Sequence, residues 1–258
     1  MSSRKLSGAH VLLTGASSGI GRALAEQLLS AGAHVWATAR REERLHELAD
    51  IGGERLHYLA GDITDPHHRA QLLHAIEQSW GRLDILINNA GVGGIGPFAH
   101  ASESRLRRIM EVNFFAPVEL IRSGLPLLRR GDRPLIVNVG SVLGHRAIPG
   151  KSEYCASKFA LHGFSDALRA ELATEGIDLL LVSPSTTVTE FGEHVLDSPN
   201  PPRHAGWGAL SAEAVAARTF RAMRSGRHEI ILSLPGKMLV WLDRLSPPLL
   251  NRLLARWG

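Results

Sequence analysis

"AHVLLTGASSGIGRALAEQLLSAG" (residues 9–32) changes its periodicity at a run of glycines. Its first six residues form an apolar run of strand length. From Gly21 onward, apolar side chains recur at helical spacing up to Gly32, where a helix would end. Between the two, "TGASSGIG" (14–21) carries glycines at 15, 19 and 21. A strand turning directly into a helix lacks Cβ atoms where backbone N–H groups must approach a ligand. The positive end of the helix faces the same point. This placement reads as the pyrophosphate cradle of a dinucleotide, although glycines alone would equally make a flexible turn. The spacing is G-x-x-x-G-x-G, not the generic G-x-G-x-x-G.

The alternation continues outward. "AHVWAT" (33–38), "RLHYLA" (55–60), "LDILIN" (83–88), "PLIVNVG" (134–140) and "IDLLLVS" (177–183) read as strands. Residues 67–80, 102–129 and 152–174 read as helices. Near-continuous apolar strands separated by helices imply a parallel sheet covered on both faces. That is a doubly wound, Rossmann-type α/β fold, here as one domain over 1–258 with a C-terminal helical extension. Residues 184–210 are rich in Pro, Gly and Ser and read as a long loop of the kind that forms a lid. The last stretch (236–258) reads as two short amphipathic helices broken at Pro247-Pro248.

Composition narrows the function classes. The chain has 258 residues, 44% of them hydrophobic, enough for one large core. Cys155 is its single cysteine, which excludes an intrachain disulfide and suits a reducing compartment. The polar start "MSSRKLSGAH" lacks the apolar core of a signal peptide, and no apolar run is long enough to span a bilayer. A cytoplasmic location is therefore expected. The net charge is +4, and among the basic residues only Lys5, Lys151, Lys158 and Lys237 are lysines. The arginines are scattered among acids, so no nucleic-acid partner is expected. The 13 histidines include no H-x-x-x-H or H-E-x-x-H pair, so no metal is expected either.

Two local patterns carry chemistry. The second strand ends "WATARRE" (36–42), with Ala39 where an NAD-specific domain places an acid, followed by Arg40 and Arg41. A guanidinium fork suits a 2′-phosphate, so the reading is NADP(H) over NAD(H). Two solvated arginines at a helix start are the alternative. In "SEYCASKFA" (152–160), Tyr154 is one of only two tyrosines, and Lys158 follows it on the same helix face. A free phenol titrates near 10, about three pH units too high for acid–base work near neutrality. A cation ~4 Å away supplies roughly the 4 kcal/mol needed to close that gap. Tyr154 reads as a tuned acid.

Over roughly residues 6–232 the ordered set "TGASSGIG" (14–21), "NNAG" (88–91), Asn113, Ser141 and "YCASK" (154–158) resembles the short-chain dehydrogenase/reductase family. The resemblance implies Tyr154 as acid/base, Ser141 bonding a substrate carbonyl and Lys158 holding the nicotinamide ribose while depressing the tyrosine. It also implies Asn113 anchoring a proton-relay water. Implied cofactor contacts are Gly15, Ser17, Ser18, Gly19, Ile20 and Gly21 in the turn, and Arg40 after the second strand. Asp62 and Ile63 in "GDIT" (61–64) follow, with Asn89, Ala90 and Gly91 in "NNAG". The remaining contacts are Tyr154, Lys158, Pro184, Thr187 and Thr189. In "PSTTVT" (184–189), Ser185 replaces the family's usual glycine, which bears on the local backbone path.

The implied activity is reversible, NADPH-dependent reduction of a ketone or aldehyde, on a hydrophobic small molecule. A non-catalytic NADP(H)-binding redox sensor is the competing class. The resemblance also implies a homodimer or homotetramer paired through 102–129 and 152–174. His145, four residues past Ser141, either lines the substrate pocket or packs structurally, and Cys155 reads as a small core residue. The apolar set Leu239, Trp241, Leu242, Leu245, Leu249, Leu250, Leu253, Leu254 and Trp257, with Arg244, Arg252 and Arg256, leaves two readings open. It packs over the lid or a second subunit, or it touches a membrane surface peripherally.

Overall fold

Seven strands pair in parallel: β1 (His10–Thr14), β2 (His34–Ala39), β3 (Leu56–Ala60), β4 (Ile85–Asn88), β5 (Leu135–Val139), β6 (Asp178–Ser183) and β7 (Glu229–Ile231), in the order β7-β6-β5-β4-β1-β2-β3. The computed structural model describes residues 3–196 and 208–255. Helices α1 (Gly19–Ser30), α2 (Glu42–Gly52), α3 (Pro66–Trp80), α4 (Glu103–Met110), α5 (Ala116–Leu128), α6 (Ser152–Ala173) and α7 (Ala212–Arg224) connect the strands. This is the doubly wound arrangement expected from the alternation.

Strand pleating explains the two cores. Val11 and Leu13 of β1, Ile85 and Ile87 of β4 and Leu180 and Val182 of β6 face one side, where α1, α2 and α7 cover them. Leu12, Leu86, Ile136 and Leu179 face the other, against α3, α5 and α6. Both faces of the central strands are covered, so most of their positions are apolar and the period-two pattern of a half-wet sheet is missing there.

Buried polar groups set the register at the strands' lower ends. Asp84, 3% exposed, accepts from the His10 N–H at 2.8 Å and the Asp132 N–H at 2.6 Å. One carboxylate thus joins β1 and the turn before β5 to β4. Arg4, equally buried, donates to Asp178 of β6 at 2.7 Å and to the Met223 carbonyl of α7 at 3.2 Å.

The structure adds three elements that the alternation did not mark: α2, α7 and β7. α2 buries only Leu45, Leu48 and Gly52 beneath a charged surface, and β7 is three residues long, so neither leaves much of a pattern. The helix over 102–129 is interrupted by a π-helical turn, Glu111–Phe115. The 184–210 segment is not structureless: Thr187–Val188 pairs with Leu210–Ser211, and Val195–Leu196 pairs with Gly93–Gly94. The part of the expected lid at 197–207 lies outside the described residues. The C-terminal pair appears as α8 (Leu234–Leu245) and α9 (Pro247–Leu254), separated at Ser246 as the prolines imply. Arg256 and Trp257 lie outside the described residues. Among the described residues, no helix is long and apolar enough to cross a membrane.

Asp84→Ala orphans two buried N–H groups and is expected to cost about 2–4 kcal/mol. Urea unfolding should show a lower midpoint at unchanged slope; a loss within about 0.5 kcal/mol would remove Asp84 from the account of register.

Candidate functional site

The upper ends of β1, β4, β5 and β6 open onto a cleft of about 600 Å³. It lies where strand order reverses beside β1, the place at which open α/β sheets leave room for a ligand.

Its floor is the glycine-rich turn pressed against the end of β4. Gly15 has φ +68°, and a Cβ there would lie 2.8 Å from Ala90 Cα. At Gly21 a Cβ would overlap the Gly15 carbonyl oxygen. Thr14 Oγ1 accepts from the Asn89 and Ala90 N–H groups, both at 3.0 Å. Asn89 Nδ2 donates back to the Thr14 and Gly15 carbonyls. Asn88, next in "NNAG", donates to Asn138 Oδ1 at 2.9 Å, and Asn138 donates to Ser165 on α6. That motif therefore ties β1, β4, β5 and α6 together. The N-cap of α1, Ser18, makes no side-chain capping bond, and no acid lies in the first turn. The helix begins at the cleft wall, with Ser18, Gly19 and Ile20 lining it. Uncapped N–H groups at that point suit an anion.

Beyond the turn, Ala39, Arg40 and Arg41 border the cleft. Arg40 is exposed and has no polar partner among the described residues. Arg41 carries the network instead. Its guanidinium donates to Ser17 Oγ at 3.2 Å, Ser18 Oγ at 2.6 Å and Glu190 at 2.7 Å. Asp62 accepts from Thr64 and, at 2.6 Å, from Arg108. Burial alone would raise its pKa, but these hydrogen bonds outweigh it and hold the carboxyl at about 2.

At the other end, Tyr154, Ser141 and Lys158 line the cleft together. Ser141 Oγ accepts from the Leu143 N–H at 3.1 Å. Lys158 Nζ donates to the Val139 carbonyl at 2.9 Å and lies 5.8 Å from the Tyr154 ring centroid. Burial pushes the phenol up to about 12, more than the Ser141 hydroxyl nearby lowers it. Burial likewise pulls Lys158 down to about 8. Within this chain alone the tyrosine is a held acid, and its pKa is raised, not depressed.

Asn113 does not border the cleft. It sits in the π-turn, 1% exposed, with Oδ1 accepting from the Val92 N–H and Nδ2 donating to the Val92 carbonyl and Ser157 Oγ. All three bonds hold protein, so its side chain anchors the loop after β4 to the helix that carries Tyr154. π-turns recur at functional positions in helices. Gly21 also lies behind the wall, and every other expected site residue lines the cleft.

Ser185 needs no left-handed backbone: among the described residues, only Arg133 combines a side chain with positive φ. His145 leaves the substrate pocket and lines a separate cavity, because the turn Val142–Gly144 carries it behind Ser141. Cys155 is buried against Val142 and Leu143, as expected. Two contributors escaped the sequence reading. Glu190 holds Arg41, and Phe191 meets the Tyr154 ring at 6.0 Å edge-on. Nothing in their spacing signals this, since both depend on how the segment after β6 folds back. Val142, Leu143, Ile148, Phe191 and Leu239 make the tyrosine end apolar.

The profile of the family described as short chain dehydrogenase matches residues 9–199. A rat protein, dehydrogenase/reductase SDR family member 7B, is 34% identical, covering 97% of this chain and 81% of its own. A Burkholderia phymatum short chain dehydrogenase/reductase solved with NAD superposes at TM-score 0.87, with 24% identity over 95% of this chain and 96% of that one. A Burkholderia cenocepacia short chain dehydrogenase solved with NADP superposes at 0.82, with 27% identity over 97% and 99%. Both dinucleotides therefore occur on this fold.

Lys158 gives a signed test. Its folded pKa of about 8 lies below the ordinary 10.5, so the unfolded chain holds the extra proton between those values. Stability should rise with pH across that window, by roughly 3 kcal/mol if Lys158 acts alone. Above pH ~10 the raised Tyr154 reverses the slope, because unfolded tyrosine ionises first. Denaturant melts at stepped pH should show the rise in the native chain and a flatter curve in Lys158→Met. An unchanged slope in the variant would assign the rise elsewhere.

Proposed function

The chain belongs to the short chain dehydrogenase family, and from that premise we propose that it is an NADPH-dependent reductase of a hydrophobic ketone or aldehyde. The observation that carries this reading is the convergence of Tyr154, Ser141 and buried Lys158 at the apolar end of a cleft whose other end is an uncapped helix. The residues present fit a dinucleotide. The Gly15 turn admits backbone close to a pyrophosphate, the α1 terminus offers free N–H groups, and Arg41 with Ser17 and Ser18 forms a donor cluster beside Ala39. With no acid at position 39 and a guanidinium at 41, the ribose end favours a 2′-phosphate. A phosphate there would compete with Glu190 for Arg41.

When bound, the nicotinamide cofactor supplies the hydride. The chain's residues do the rest. Ser141 Oγ donates to the substrate oxygen and steadies the charge that grows on it. Tyr154, protonated throughout the neutral range, delivers its proton to that oxygen. Lys158, when charged, favours the resulting phenolate, and Asn113 keeps α6 seated so that these groups stay aligned. The Thr187–Leu196 segment acts as the lid, with Phe191 over the tyrosine.

We place the chain in the cytoplasm as a dimer or tetramer paired through α4–α5 and α6, where Phe115 and Phe159 are exposed. Trp241, Leu245 and Leu249 on α8–α9 are also exposed, beside Arg244 and Arg252, and support peripheral contact with an anionic membrane. Gel filtration should give a dimer or larger. Flotation with phosphatidylserine vesicles should carry the native chain but not Trp241→Glu/Leu245→Glu; no flotation of either would return that face to subunit packing.

The decisive assay follows loss of reduced-nicotinamide absorbance across aldehydes and ketones. Turnover with NADPH should fall by roughly 10³-fold or more in Tyr154→Phe while cofactor binding persists. Arg41→Ala should raise KM for NADPH about 10–100-fold and leave NADH nearly unchanged. Equal use of both cofactors by the native chain would overturn the NADPH assignment. Tight binding with no turnover on any carbonyl would favour a sensor.

A further inference from the structure

Behind Ser141, outside the dinucleotide cleft, two imidazoles and a carboxylate converge. His145 follows the turn after β5, His162 lies on α6, and Glu229 opens edge strand β7. One potential ligand atom from each lies within 4.8 Å of the other two. The two imidazole rings are 4.3 Å apart, and His145 Nε2 is 3.3 Å from Glu229 Oε1. Two ligands of a tetrahedral zinc ion, each about 2.0–2.1 Å from the metal, stand about 3.3 Å apart.

Three further observations point to a ligand. Glu229 Oε1 is enclosed yet has no hydrogen-bond partner among the described residues. A buried acceptor left in that state calls for an ion or a water. His162 Nδ1 lies 3.0 Å from the Gly144 carbonyl, which fixes that nitrogen as the N–H and leaves the Nε2 lone pair available. Finally, a cavity of about 290 Å³ opens against His145, His162 and Asp166.

We propose that His145, His162 and Glu229 bind one divalent transition-metal ion, zinc by preference, as a structural clamp between the edge of the sheet and the helix that carries Tyr154 and Lys158. Two neutral imidazoles with one carboxylate and no thiolate suit zinc and its first-row neighbours rather than calcium or magnesium. Ser183 Oγ, 2.9 Å from His145 Nε2, stands beside the ion's position. Asp166, 3.3 Å from His162 Nε2 and held by Arg169, supplies nearby negative charge. Arg244 on the rim opposes a cation, but it is exposed and free to swing into water. Sequence spacing concealed the group because its members come from three separate elements.

The test uses the tag-free full chain, stripped with chelator and titrated calorimetrically with zinc sulfate. Cobalt(II) serves as a spectroscopic stand-in. One equivalent of zinc should bind and raise Tm, and cobalt should give the intense visible bands of a four-coordinate site. Glu229→Gln is nearly isosteric and His162→Gln lies on a half-buried helix face, so both should fold. Each should weaken zinc binding about 100-fold or more and abolish the cobalt bands. Absence of saturable binding, or native affinity in either variant, would overturn the proposal.

Discussion

The close contact between the first βα turn and the end of β4 is the constraint on which the rest depends. Thr14 Oγ1 satisfies two N–H groups at Asn89 and Ala90, and Asn89 satisfies two carbonyls of the turn. The exchange works only while no side chain intervenes, and a Cβ on Gly15 would meet Ala90 Cα. Because the pair is locked, α1 starts at the cleft wall with its first N–H groups directed into it. The same contact places β5 and α6 through the Asn88–Asn138–Ser165 relay. The glycine-rich turn and the tyrosine helix are thus two ends of one polar network.

Electrostatics at the tyrosine end follow from burial more than from charge pairing. Tyr154 moves up and Lys158 moves down for the same reason: neither charged form is well solvated there. In the chain alone the phenol therefore keeps its proton, and the lysine gives its own up more readily than a surface lysine would. Asn113, bonded entirely within the protein, converts a defect in the α4–α5 helix into a fixed point for α6.

The main strands, and the helices that α1, α3 and α6 represent, were readable because buried parallel strands leave unbroken apolar runs and glycines mark obligatory close approaches. Tyr154 and Lys158 were readable as well, since their spacing on one helix is local, and Ser141 through its place in the ordered motifs that resemble the family. Other features depend on contacts between distant segments. Arg41, not Arg40, meets Ser17 and Ser18 because of where the chain points on leaving β2, and neighbouring arginines look alike in a sequence. Glu190 and Phe191 reach the cleft only after the segment beyond β6 folds back onto Gly93–Gly94. Lysine–tyrosine proximity was legible, but the desolvation that dominates both pKa values was not, because burial is a property of the assembled core.

Arg4 ties the start of the chain to Asp178 and to the Met223 carbonyl. During synthesis that bond waits until α7 has left the ribosome. The central strand β1 likewise gains β2 early but lacks its other neighbour until residues 85–88 are made. The half-sheet β3-β2-β1 can therefore form before the half that carries the tyrosine helix. A chain released before α7 would keep its glycine-rich turn but leave the β6 edge open, an unpaired strand available to other chains.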